Sequence, residues 1–116
     1  MRNNDPMAPN HDARTDERTA AARAIGYSEM RARILAISFR DGFCTAAGLM
    51  REIGISRSNV NAHIRPLVEA RILDPHPDPD FQHGPKGGTP PLRWYINASA
   101  FDAALDEYRN RIRGTR

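Results

Sequence analysis

Stretches in which apolar residues return every three or four positions alternate along this chain with stretches rich in glycine, proline and polar residues. Residues 15–25 open with acidic side chains and continue in alanine, which favours a helix. Gly26 stops it, and its apolar face is too thin to stand without a partner surface. Ser28 caps a second helix that closes at Gly42, with Met30, Ile34 and Ile37 buried and Leu35 on the flank. Phe39 or Phe43 anchors the turn that follows. A third helix covers residues 45–53, capped by Thr45, ended by Gly54, with Leu49, Met50 and Ile53 inward. A fourth begins after the cap Ser56, where Val60, Ile64 and Leu67 form one narrow apolar stripe. Ile72 and Leu73 start a strand, and a long Pro/Gly loop follows. Leu92, Trp94 and Ile96 then alternate with Arg93 and Tyr95 as a half-buried return strand. Asn97 or Ser99 caps a last helix, Ser99 and Asp102 forming a capping-box-like pair. Its Phe101, Ala104, Leu105, Tyr108 and Ile112 recur at helical spacing. Residues 1–14 hold too little apolar content to fold and read as a disordered tail, so residues 15–116 form one domain.

The fourth helix carries the chemistry. Advancing about 100° per residue from Val60, the side opposite the stripe presents Ser58, Ala62, Arg65 and Glu69, with Asn59 and Asn61 at its edges. Asparagine suits adenine, arginine guanine, serine either, and alanine the thymine methyl. Arg57, on the first turn at the positive helix end, suits a phosphate. Any surface helix also turns Ser, Asn and Arg outward, so the face alone does not decide its role. Pro66 removes the bond to the Ala62 carbonyl and should kink the helix below the base-reading residues. Gly48, inside the third helix, costs about 1 kcal/mol against alanine, a cost that close approach of the neighbouring helix would offset.

Residues 44–73 resemble the helix-turn-helix of winged-helix transcriptional regulators of the MarR/ArsR type. There a capped S-x-S-x-V-x-x-H-I-x-x-L helix enters the major groove. The resemblance covers residues 28–97 and reaches the wing, where G-G-T-P-P-L-R-W-Y is similar to a G-x-P-x-x-x-Y return. It implies a mainly α fold with a small β-hairpin: a three-helix core, a wing, and N- and C-terminal flanking helices. It implies double-stranded DNA as partner, with Ser58, Asn59, Asn61, Ala62 and Arg65 facing bases. Thr45, Ser56, Arg57, Lys86 and Arg93 would face phosphates from the turn and the wing. It also implies a homodimer joined through residues 16–25 and 100–113, acting as a repressor on an inverted repeat. Three features depart from the pattern, the first being Pro66 in mid-helix. Arg71 stands where the family usually places a left-handed glycine, and the wing is longer than usual. Its tip, residues 83–88, carries Lys86 on flexible glycines and reads equally as a DNA contact or a mobile solvent loop. His63 matches a histidine common in such helices and reads as a satisfied structural residue beside the core.

Composition adjusts this picture only slightly. Seventeen basic against fourteen acidic residues give a net charge of +3, compatible with a polyanionic partner but not requiring one. All basic residues but Lys86 are arginine, whose fork suits phosphate and guanine, although a GC-rich genome would give the same bias. The single cysteine, Cys44, excludes an internal disulfide, reads as a packing residue and fits a reducing cytosol. With no apolar run near the ~20 residues of a membrane span and no secretory leader, a soluble, cytoplasmic, prokaryotic-type protein is expected. Asp74, His76, Asp78, Asp80 and His83 are metal-ligand types, but the intervening prolines hold the chain extended and no Cys/His pair accompanies them. Neither a metal nor a cofactor is expected. Phosphate-loop, nucleophile-elbow and metalloprotease motifs are absent, so catalysis is not expected. Two readings remain beside the DNA-binding one: a winged helix that docks a protein as an adaptor or assembly subunit, and a small-molecule-sensing repressor, for which no pocket is marked.

Overall fold

The computed structural model describes residues 24, 28–82, 84 and 87–114. The predicted tail, and all of the predicted 15–25 helix except Ala24, lie outside the described residues. Among the described residues from Glu29 onward, seven elements follow in order: α1 (Glu29–Asp41), β1 (Phe43–Thr45), α2 (Ala46–Ile53), α3 (Arg57–Glu69), β2 (Leu73–Pro77), β3 (Leu92–Ile96) and α4 (Ala98–Arg113). Four helices with a three-stranded antiparallel sheet, ordered β1-β3-β2, make the winged helix-turn-helix arrangement expected from the sequence. The helix-turn-helix and the wing lie within one compact unit, Arg33–Arg116.

Capping side chains begin the helices where the sequence placed them. The Ser28 hydroxyl accepts from the Arg31 N–H at 3.2 Å, and Ser56 accepts from the Asn59 N–H at 3.2 Å. Asn97, rather than Ser99, caps α4: its side-chain oxygen accepts from the Ala100 N–H, and the Ser99 hydroxyl donates to the same oxygen. Between α2 and α3 the chain reverses at Gly54, whose φ of 81° is open to glycine at little steric cost. Ile34, Leu49, Val60 and Leu73 are fully buried, and Ile64, Leu67, Ile72, Cys44 and Trp94 complete the core. Ser38 is buried among them. Its hydroxyl donates to the Ile34 carbonyl at 2.8 Å, which satisfies an otherwise costly polar group.

The sheet departs from the expected hairpin in two ways. First, β1 is an extra strand, pairing Phe43 with Tyr95, Cys44 with Trp94 and Thr45 with Arg93. Three residues are too few to show a period-two pattern, so no sequence signal marks it. Cys44 is therefore a buried strand residue. Burial pushes its thiol pKa up, partly offset by a hydrogen bond with Ser38, so the reactive thiolate is disfavoured. Second, β2 runs on through Pro75 and Pro77, residues that had read as loop. Asn97 donates to the Ile72 carbonyl and Asp78 to the Pro91 carbonyl, which puts the even-numbered residues of β2 in the hydrogen-bonded pairs with β3. Pro75 and Pro77 then occupy positions whose missing N–H would face away from β3. Edge-strand prolines so placed cost the sheet nothing and blunt its outer edge against pairing with other chains.

α3 continues through Pro66, which loses one ladder bond without ending the helix. The exit forms a Schellman motif: the Arg71 N–H donates to the Val68 carbonyl and the Ile72 N–H to the Leu67 carbonyl, both at 2.9 Å. Arg71 adopts φ 63°, the left-handed region for which a side chain is ill suited. The motif and the buried Leu67–Ile72 pair hold it there. Arg71→Gly is expected to raise stability by about 1 kcal/mol, seen as a melting temperature a few degrees higher in thermal denaturation.

Candidate nucleic-acid interface

Two helices present the candidate surface, and side chains fix how they sit. Arg40, near the end of α1, grips Asp41 through Nε and Nη2 and Glu52 of α2 through Nη1 and Nη2, at 2.7–3.1 Å. These bonds hold both carboxyls below their ordinary pKa range. The pairs are exposed, so their geometry matters more than their energy: a forked contact sets the angle between α1 and α2.

On α3, Val60, Ile64 and Leu67 are buried, so the opposite side faces solvent. Ser58, Asn59, Asn61, Ala62 and Arg65 are exposed there, and Arg57 is exposed on the first turn at the flank of the stripe. The Ser56 and Ser58 hydroxyls lie 3.2 Å apart, one able to donate to the other. Among the described residues, the side chains of Arg57, Asn59, Asn61 and Arg65 make no hydrogen bond or ion pair. Thr45 is half-buried at the start of α2, its oxygen accepting from the Gly48 N–H at 3.0 Å.

Arg40 pairs with Asp41 and Glu52, Arg93 with Asp78 and Asp80, Arg109 with Asp106 and Arg111 with Glu107. Arg51, Arg57, Arg65 and Arg71, all on α2, α3 or the α3 exit, are exposed and pair with no carboxylate among the described residues. An unpaired guanidinium keeps its full capacity to meet an external anion, but Arg31 and Arg33 on α1 and Arg113 at the end of α4 are also without a carboxylate partner among the described residues, so this capacity is not confined to the helix-turn-helix. The sequence marks Arg71 only for its backbone position at the α3 exit, and Arg51 not at all. Nothing there tells a free arginine from a paired one.

Arg93 is placed otherwise. Its guanidinium lies 3.1 Å from both Asp78 and Asp80, 3.4 Å from the Tyr95 hydroxyl, and 4.4 Å above the Phe43 ring. Its side chain is 20% exposed. The structure uses it to fasten the wing loop to the sheet, with the cation resting on an aromatic face. Lys86 and His83 lie outside the described residues. Near the tip, Gly84 and Gly87 form an isolated antiparallel bridge.

Two expectations need correction. His63 is not fully satisfied: its Nδ1 is buried without a hydrogen-bond partner. Gly48 does not make room for α3. An added Cβ would meet only Thr45 Oγ1, at 3.0 Å, and Arg51 Nη2, at 3.8 Å. Among the described residues, no group of three or more His, Cys, Asp or Glu is placed to hold a metal ion, and no helix is long and apolar enough to cross a membrane.

Comparison with known proteins bears on the same segment. Residues 28–74, less than half of the chain, match the family described as winged helix-turn-helix DNA-binding. No curated protein matches the chain. Among solved structures it is similar to RV1404 from Mycobacterium tuberculosis, with 21% identity, 90% of this chain and 77% of that chain covered, and a TM-score of 0.53. At that identity the likeness speaks for the fold alone. The matched segment contains α2, the turn at Gly54 and the whole of α3, so the outward face of α3 lies within the part of the chain that is similar to that family.

Proposed function

We propose that this protein is a transcriptional regulator of the MarR/ArsR type that binds double-stranded DNA, as a homodimeric repressor on an inverted repeat. The observation that carries the reading is the outward side of α3: six exposed residues of base- and phosphate-binding types, their cations left unpaired. Ser58, Asn59, Asn61, Ala62 and Arg65 meet base edges in the major groove. Arg57, with the Thr45 and Ser56 hydroxyls, meets the backbone, and Lys86 adds a wing contact. Arg93 serves the wing by fixing its root. With DNA as ligand, the place of action is the cytoplasm, and a winged helix-turn-helix segment points to a regulator rather than an enzyme.

α4 supports the dimer. It is 16 residues long, about 24 Å, yet none of its residues is fully buried. Phe101 meets Phe39 edge to face at 5.1 Å, while Ile112 remains 64% exposed. An apolar stripe left open in this way is covered by the same stripe of a second copy, together with residues 16–25. Two recognition helices related by the dyad then lie one duplex turn apart, about 34 Å. Ile112→Glu is expected to convert the dimer to a monomer, read by sedimentation equilibrium.

Titration of a labelled duplex by anisotropy over a salt series tests the function. DNA binding requires the logarithm of affinity to fall linearly with the logarithm of salt. A complex insensitive to salt, or none at low salt, would favour a protein-docking adaptor instead.

A further inference from the structure

The sheet has a second face, turned away from the core that Cys44, Leu73 and Trp94 enter. The ladder sets Phe43 and Asp74 on either side of Tyr95, and His76 opposite Arg93, so these five side chains share that face. Three rings run across the three strands, Phe43 to Tyr95 at 5.4 Å and Tyr95 to His76 at 5.8 Å between centroids. The chain's own Arg93 shows which chemistry the face accepts. Its guanidinium lies 4.4 Å above the Phe43 ring and pairs with Asp78 and Asp80, a cation held between an aromatic ring and carboxylates. One strand further, Tyr95, His76 and Asp74 repeat those parts: two rings and a carboxylate. Among the described residues Asp74 meets only the His76 ring, at 3.3 Å, and its side chain is 65% exposed. Among the described residues of the hairpin, Asp74, Asp78 and Asp80 stand against the single cation Arg93, a balance that repels phosphate and attracts positive charge.

We propose that Asp74, His76 and Tyr95 seat an arginine side chain carried by a partner protein. The guanidinium lies along the Tyr95 and His76 rings and forks to Asp74, as Arg93 does with Phe43, Asp78 and Asp80. The seat is an open face, with Asp74 and His76 more than half exposed, and a free small cation there would leave most of its own surface in water. An arginine delivered on an extended segment adds contacts from its neighbours to the same surface, which selects a protein as the occupant. Because the carboxylates oppose phosphate, this surface acts apart from the outward side of α3, and the proposal does not rest on the DNA reading.

The test is an NMR titration of the isotope-labelled full chain with the peptide acetyl-Gly-Arg-Gly-Arg-Gly amide, in about 0.15 M salt to screen unspecific attraction. Saturable shifts are expected at Asp74, His76 and Tyr95. The same peptide with lysine for arginine keeps the charge but loses the fork and the stacking, and should bind roughly threefold more weakly. Asp74→Asn should weaken the arginine peptide about two- to fivefold with no change in melting temperature, since the carboxylate is exposed. Asp102→Asn, which removes an exposed carboxylate of α4, should keep the wild-type affinity. Equal binding of the two peptides, or an equal loss in the two variants, would reduce the seat to unspecific charge and refute it. An absence of saturable shifts at His76 and Tyr95 refutes it as well. Acetyl-arginine amide binding as tightly as the peptide would make the face a small-molecule site and overturn the partner reading.

Discussion

Leu49→Ala is expected to cost about 2–5 kcal/mol of folding stability. Leu49 is fully buried on the inner side of α2, and its neighbours are tied in place from both sides. Arg40 fixes α2 to α1 through Glu52, and the Gly54 turn fixes it to α3. A helix held at both ends cannot collapse into the space left by the lost side chain, so the cavity persists and its cost approaches the upper part of that range. Small domains hold only about 5–15 kcal/mol in total, so the variant should be partly unfolded at modest temperature. Urea denaturation followed by circular dichroism checks this. A midpoint equal to wild type would mean that α2 does not belong to the core.

Arg65→Ala should behave in the opposite way: no change in stability, and a loss of about 1–3 kcal/mol in affinity for the preferred site. Arg65 lies on the exposed side of α3 with no partner among the described residues, so the fold does not depend on it. If its fork reads a guanine, the loss falls on one base pair of each half-site, and selection from a random pool should show specificity relaxed at those two symmetry-related positions alone. An equal loss on every sequence would make Arg65 a backbone contact and leave the reading of bases to Ser58, Asn59 and Asn61.

The features legible in the sequence were those written in local chemistry. Ser28, Thr45 and Ser56 cap the helices they were expected to cap, and Gly54 turns where only a residue tolerant of positive φ fits easily. The spacing of Val60, Ile64 and Leu67 fixed the orientation of α3, and with it the outward face. What could not be read depends on contacts between distant segments. β1 exists because Phe43, Cys44 and Thr45 find Tyr95, Trp94 and Arg93 some fifty residues later. Pro75 and Pro77 are tolerated in β2 only because that strand lies at an edge in one particular register. The resemblance sets Arg93 against phosphate, whereas the acids that engage it here come from the wing loop, far from it in sequence. Arg71 shows the reverse case: a residue with poor propensity for its conformation is held there by the Schellman bonds and by buried Leu67 and Ile72. Gly48 was correctly marked as costly and wrongly explained, since its surroundings are its own helix.

The most direct measurement is an NMR titration of isotope-labelled protein with duplex DNA, following backbone amides and arginine side chains together. The expected result is a set of perturbations centred on Arg57–Arg65, extending to Thr45, with the Leu105–Arg113 part of α4 unmoved. A duplex that binds while the outward side of α3 stays silent, or one that shifts α4 instead, would contradict the assignment of that face to DNA.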